Sequence, residues 1–63
     1  MDDLLQIIKA KEEIKEIDYA IAKLEIAEED FVDEEQYEKA QIMLTEQKRL
    51  KTRKRYLIKK LEK

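Results

Sequence analysis

The chain contains no residue type that normally interrupts a helix. Gly and Pro are absent from its 63 residues, and so are Ser and Asn. These four residue types favour turns and helix ends over helix interiors. Glu, Lys, Leu, Ala, Gln and Arg, which favour helices, dominate instead. The predicted fold class is therefore all-α.

The first half of the chain carries an apolar stripe with alternating steps of three and four residues. It comprises Ile7, Ala10, Ile14, Ile17, Ile21, Leu24 and Phe31. Glu28 occupies the one heptad position of this stripe that is not apolar. Such spacing is typical of a helix that packs along one face against another helix. It predicts helix one over about residues 4–28.

A second stripe predicts helix two over about residues 34–61, after an acidic turn at about 29–33. Its apolar residues are Tyr37, Ala40, Met43, Leu44, Leu50, Leu57, Ile58 and Leu61. Asp33 is predicted to cap this helix, with Gln36 at the capping-box position and Val32 and Tyr37 as a hydrophobic staple.

The two stripes are out of phase, which favours two helices over one. The heptad register slips between Phe31 and Ala40, and three acids at residues 28–30 would oppose the dipole at a helix end. We therefore predict a two-helix antiparallel hairpin that resembles a coiled coil. The first alternative is one continuous helix of about 60 residues, with the usual rise of about 1.5 Å per residue. A chain that stays disordered until it binds a partner is the second.

The small size of the chain predicts an oligomer. Two helices bury too little apolar surface to offset chain entropy by a wide margin, so small scaffolds need a staple or a partner. The chain has no Cys for a disulfide and neither Cys nor His for a zinc site. We expect a homodimer in which two hairpins pair into a four-helix bundle.

Helix one carries a second apolar face, opposite the first stripe. It comprises Leu5, Ile8, Tyr19, Ala22 and Ile26, and it is interrupted by Glu12 and Lys15. A helix that is apolar on two sides normally has neighbours on both. We therefore predict that this face is the oligomer or partner interface. The alternative is that Tyr19 and Ile26 are ordinary exposed apolar residues.

Three polar residues, Gln47, Lys51 and Lys54, enter the second stripe. The favoured interpretation is that their long side chains reach water from the edge of the seam. The alternative is a buried polar layer that fixes the register of the two helices.

Charge is strongly segregated along the chain. Residues 1–47 hold 15 acids and five cations, whereas residues 48–63 hold nine cations and one acid. The basic part is a candidate surface for nucleic acid or an acidic partner, comprising Lys48, Arg49, Arg53, Arg55, Tyr56, Lys59 and Lys60. Complementarity to the helix dipole and antiparallel self-association are the competing explanations. A membrane surface ranks below these because the basic helix presents few apolar residues.

No catalytic, metal or cofactor site is predicted. Without His, Cys or Ser the commonest bases and nucleophiles are missing, and no Gly-rich loop can cradle a phosphate. We expect no small-molecule substrate. The acidic start MDDLL lacks the basic segment of a signal peptide, and the apolar runs are too short to cross a membrane, so a cytoplasmic location is expected.

The sequence thus predicts a non-enzymatic protein that acts through protein–protein interaction, as a homo-oligomeric regulator or adaptor. One alternative is a small nucleic-acid-binding regulator that uses the basic half of helix two. Another is a designed helical hairpin.

Overall fold

The computed structural model describes residues 2–62, which form two long α-helices joined by a short turn. Helix α1 spans Asp2–Asp33 and helix α2 spans Tyr37–Leu61. The helices pack against each other in antiparallel directions, and the hairpin measures 51 × 14 × 12 Å. The prediction of an all-α hairpin is confirmed. Within the described residues, no helix has an apolar stretch long enough to span a membrane.

Backbone hydrogen bonds close the turn at the end of α1. The Glu35 amide donates to the Val32 carbonyl at 3.0 Å, and the Gln36 amide donates to the Phe31 carbonyl at 2.7 Å. This pair of bonds is the Schellman motif, which satisfies carbonyls at the end of a helix. Glu35 takes the left-handed conformation that the motif requires, with φ of 60°. Glycine usually fills that position, so here the chain turns at some conformational cost.

The helix ends differ from those predicted. Helix α1 continues to Asp33 and the turn occupies residues 34–36, rather than 29–33. Each acid that opposes the dipole of an exposed helix end costs only about 0.3–1 kcal/mol. Continuing the helix also keeps Phe31 half-buried in line with the first stripe. The acids at 28–30 therefore do not end the helix.

The predicted cap at Asp33 is wrong, because Asp33 is the last residue of α1. Gln36 precedes α2, and no side chain caps that helix. The Gln36 side-chain amide donates instead to the Glu34 carboxylate at 2.7 Å. Val32 and Tyr37 are both exposed, so they do not form the buried contact of a staple. The sequence contains the capping pattern around Asp33. Because of the Schellman turn, however, the residue that precedes α2 is Gln36, three residues later.

The core between the helices is thin. Ile17, Ile21 and Leu57 form its buried cluster, and Ala40 is buried nearer the turn. Half-buried side chains pack around the cluster, namely Ala10, Ile14 and Leu50. Among the described residues no large side chain is completely enclosed. Three members of the predicted stripes stay outside the core: Tyr37 is 61% exposed, and Ile7 and Ile58 are a little over one third exposed.

Gln47 is buried in this seam, with 3% of its surface exposed. Its side-chain amide donates to the carboxylate of Glu28 on the other helix. The interpretation that Gln47 reaches water is therefore wrong, and the alternative of a polar layer fits. Lys51 is exposed, and the half-buried Lys54 reaches the edge of the seam, where its ammonium binds Asp18. These two lysines follow the snorkelling interpretation.

Candidate functional site

The predicted interface residues lie together on the outer face of α1, on the side away from α2. Their exposed fractions are 54% for Leu5, 46% for Ile8, 65% for Tyr19 and 62% for Ile26, and Ala22 is exposed as well. The seam residues Ile17 and Ile21 occupy the opposite side of the same helix. Leu4 adds a further exposed apolar side chain that the sequence pattern did not single out. Formation of the hairpin thus leaves one apolar helix face without a partner.

Two charges lie in the middle of this apolar face. Glu12 and Lys15 are exposed, and neither belongs to an ion pair formed between residues 2–62. Nearby, the Lys23 ammonium lies 4.7 Å from the centre of the Tyr19 ring, a favourable cation–π distance. The face is therefore apolar at both ends and charged at its centre.

The outer face of α2 has a different chemistry. A shallow groove runs along it, lined by Thr45, Lys48, Arg49, Thr52, Arg53 and Tyr56. Arg49 lies 3.3 Å from Glu46 on the same helix, and the Arg53 guanidinium lies 5.4 Å from the Tyr56 ring centre. Four residues of the predicted basic surface are thus brought together here. Ile42, exposed and in line with Thr45 and Arg49 at helical spacing, was missed by the sequence reasoning.

The other residues of the predicted basic surface lie elsewhere on α2. Arg55 and Lys59 border a groove beside Asp18, on the other side of the seam from Arg53. Lys60 borders the cleft between the helices at the open end of the hairpin, near Leu57. None of these three residues, Arg55, Lys59 and Lys60, takes part in an ion pair within residues 2–62. The basic segment is therefore spread around the helix.

Among residues 2–62, two ion pairs join the helices, one on each edge of the seam. Arg53 donates to the Glu13 carboxylate through Nε at 2.7 Å and through a second nitrogen at 3.5 Å. Lys54 binds Asp18 on the opposite edge. The hydrogen bond from Arg53, and the charge of its guanidinium, lower the pKa of Glu13. The same hydrogen bond, and the charge of the Glu13 carboxylate, raise the pKa of Arg53. Both pairs are exposed, and such pairs stabilise a fold modestly.

The acids around the turn do not converge on a metal position. Seven of them fall within residues 28–38. Within the part of the chain that the structure describes, no three acidic side chains come close enough to hold a metal ion.

Comparisons of the chain with protein-family models, with curated proteins and with solved structures give no match. No relative therefore indicates a function for either outer face.

Proposed function

We propose that the chain is a non-enzymatic binding protein that works as a homo-oligomer, in the manner of a regulator or adaptor. The outer face of α1 would join two hairpins into a four-helix bundle. One observation supports this proposal above the others: Leu5, Ile8, Tyr19 and Ile26 stay about half or more exposed after the hairpin has formed. A soluble protein rarely leaves several large apolar side chains uncovered along one helix face.

The thin core gives the second reason. Moving a large apolar side chain from water to a buried site stabilises by about 1.5–3 kcal/mol. Only four apolar residues of the described chain are buried in the single hairpin. Covering the outer face of α1 would add a second core of comparable size, which a scaffold of this length needs.

Light scattering coupled to size exclusion tests the proposal. We expect a mass about twice the 7.7 kDa of the chain at micromolar concentration. Ile8→Lys should shift the protein towards monomer, because it places a charge in the new core. Ile42→Lys is the matched control, because Ile42 is 57% exposed but lies on α2. A monodisperse 7.7 kDa wild type that melts cooperatively would refute the proposal.

Nucleic-acid binding is the second candidate function. It is favoured by the exposed groove on α2, where Lys48, Arg49 and Tyr56 lie together. Cations can neutralise phosphates there, and the Tyr56 ring can stack on a base. Dimerisation through α1 would leave this groove open, so the two functions are compatible. The same groove equally suits an acidic protein partner.

A gel-shift titration with mixed DNA and RNA at low and moderate salt separates these partners. Binding to nucleic acid should weaken steeply with salt, with a log–log slope of about −0.9 per neutralised phosphate on duplex DNA. Lys48→Glu combined with Arg49→Glu should abolish it while the mass of the oligomer stays unchanged. Arg53 is left intact in this design because it holds Glu13 and its loss would disturb the hairpin.

A further inference from the structure

The outer face of α1 has the full periodicity of a coiled-coil seam. Its positions alternate in steps of three and four, in the order Leu5, Ile8, Glu12, Lys15, Tyr19, Ala22 and Ile26. The two central positions are charged and the flanking positions are apolar. A second copy that covers this face must supply an opposite charge to each central residue, because an unpaired charge in an interface is costly.

A parallel pairing of two copies cannot do this. Equivalent positions face each other in a parallel coiled coil. Glu12 would then lie against Glu12 of the second copy, and Lys15 against Lys15. Both central layers would combine like charges.

In an antiparallel pairing whose two-fold axis lies between Glu13 and Ile14, both central layers combine opposite charges. In this register Glu12 faces Lys15 of the second copy, and symmetry repeats the pair. Leu5 then faces Ala22 of the second copy, and Ile8 faces Tyr19. Within residues 5–22, apolar residues of the face meet apolar residues and each central charge meets its opposite.

Neighbouring registers lose this match. A shift of one heptad in one direction sets Leu5 against Glu29 and Glu12 against Ala22. A shift in the other direction sets Leu5 against Lys15. Each of these alternatives buries a charge against an apolar residue, which is unfavourable.

The edges of the face agree with the same register. They bring Lys11 beside Asp18 of the second copy, and Lys9 beside Glu16. Lys9, Lys11 and Glu16 are exposed in the hairpin and form no ion pair within residues 2–62. Asp18 already binds Lys54 of its own chain. Opposite charges at the edges of a helix pair specify orientation and partner.

The hairpin already contains a seam built in this way. Glu28 interrupts the apolar stripe of α1, Gln47 interrupts that of α2, and the two side chains meet in a hydrogen bond. Matched polar positions thus set the register of α1 against α2.

We propose that a second copy of this chain covers the outer face of α1 in antiparallel orientation, with the Glu12–Lys15 pairs fixing the register. This inference rests on the proposed function, to which it adds the orientation and the specificity of the pairing. Because the two seams of α1 lie on opposite sides, the four-helix bundle of the proposed function would be a flat one, with the two α1 helices in the middle.

Cysteine cross-linking tests the orientation, since the chain has no Cys of its own. Ile8→Cys and Tyr19→Cys are made as separate variants and checked for dimer mass under reducing conditions. Neither variant alone should form disulfide-linked dimers on mild oxidation, because equivalent positions lie about 16 Å apart at 1.5 Å per residue. An equimolar mixture should cross-link, since a disulfide needs Cα atoms within about 4.4–6.8 Å.

Self-cross-linking of the Ile8→Cys variant would show a parallel dimer and overturn the inference. If the variants form dimers but neither the single variants nor their mixture cross-link, the proposed register is wrong. A wild type that stays monomeric would remove the proposed function together with the inference. The proposed function survives the first two outcomes and fails only in the third.

Charge reversal gives an independent measurement. Glu12→Lys should raise the dimer dissociation constant about tenfold or more, because it replaces two attractive pairs by two repulsive ones. Adding Lys15→Glu to that variant should restore affinity close to that of the wild type. Equal dissociation constants for the wild type and the single variant would overturn the inference.

Discussion

Gln47 and Glu28 connect the two helices by a hydrogen bond of 2.7 Å between positions 19 residues apart in the chain. Each residue breaks the apolar stripe of its own helix. Gln47 is nearly inaccessible to solvent, and Glu28 is half-buried beside it. A slide of one helix along the other would leave both polar groups in an apolar seam without partners, which is costly. The pair therefore fixes how α1 aligns with α2.

The first prediction concerns this pair. Gln47→Leu alone should destabilise the hairpin by about 1–2 kcal/mol, because Glu28 loses its donor while remaining half-buried. The double variant Gln47→Leu with Glu28→Leu should recover that loss or exceed wild-type stability, since it completes both apolar stripes. Denaturant unfolding of the two single variants and the double variant measures the coupling. Strictly additive effects would mean that the hydrogen bond does not contribute.

The second prediction concerns the left-handed residue at the turn. Glu35→Gly should stabilise the protein by about 1 kcal/mol, because glycine adopts the positive φ of 60° without steric cost. Thermal unfolding measures the change. Glu35→Ala is the control, because it removes the same negative charge and keeps the side-chain Cβ. Equal stabilisation in both variants would point to charge repulsion among the turn acids as the cause.

Heptad spacing was sufficient to predict the two helices, their packing and the exposed outer face of α1. It failed at the turn because several weak local preferences competed there. The cap pattern around Asp33 was complete in the sequence, yet two backbone hydrogen bonds from Glu35 and Gln36 determine where α1 ends. Backbone hydrogen bonds of this kind are invisible to a rule that considers only neighbouring side chains.

The basic surface shows a second limit. From the sequence, Arg53, Arg55 and Lys59 are predicted to form one surface because they are close in the chain. On a helix, however, successive residues turn by about 100°, so neighbours point to different sides. Arg53 is therefore bound to Glu13 on one edge, whereas Arg55 and Lys59 lie on the other. A helical projection of the sequence could have revealed this division, but the ion pair with Glu13 required the structure.

The third prediction follows from the corrected turn. Gln36→Ser should stabilise the protein by about 0.5–1 kcal/mol, because α2 has no side-chain cap and Ser is a preferred N-cap residue. Gln36→Ala serves as the control, since it also removes the exposed bond to Glu34 but offers no cap. The difference in free energy of unfolding between the two variants isolates the cap.

Asp33→Ala provides the complementary measurement, and it forms the fourth prediction. Asp33 ends α1, where a negative charge opposes the helix dipole. Its removal should leave stability unchanged or raise it by about 0.3–1 kcal/mol. If Asp33→Ala instead lowers the free energy of unfolding by about 1 kcal/mol, as expected for an N-cap residue, then Asp33 caps the start of α2 in solution.

The fifth prediction concerns the ion pair between Glu13 and Arg53. The hydrogen bond from Arg53, followed by its charge, lowers the pKa of Glu13 below its usual value of 4.5. A carboxylate whose pKa is lower in the folded state stabilises the fold fully above its unfolded pKa. That stabilisation disappears as the pH falls from about 4.5 through the lower pKa of the folded state.

Glu13→Gln removes this contribution at every pH. The wild type should therefore be more stable than the Glu13→Gln variant at neutral pH, and the difference should shrink steadily below pH 4.5. Urea unfolding at a series of pH values measures the difference. Glu25→Gln is the control for loss of one charge, because Glu25 is exposed on α1 and belongs to no ion pair within residues 2–62. If both variants give the same pH profile, the Glu13–Arg53 pair does not stabilise the hairpin, and the alignment of the helices depends on the Gln47–Glu28 bond, the Lys54–Asp18 pair and the apolar core.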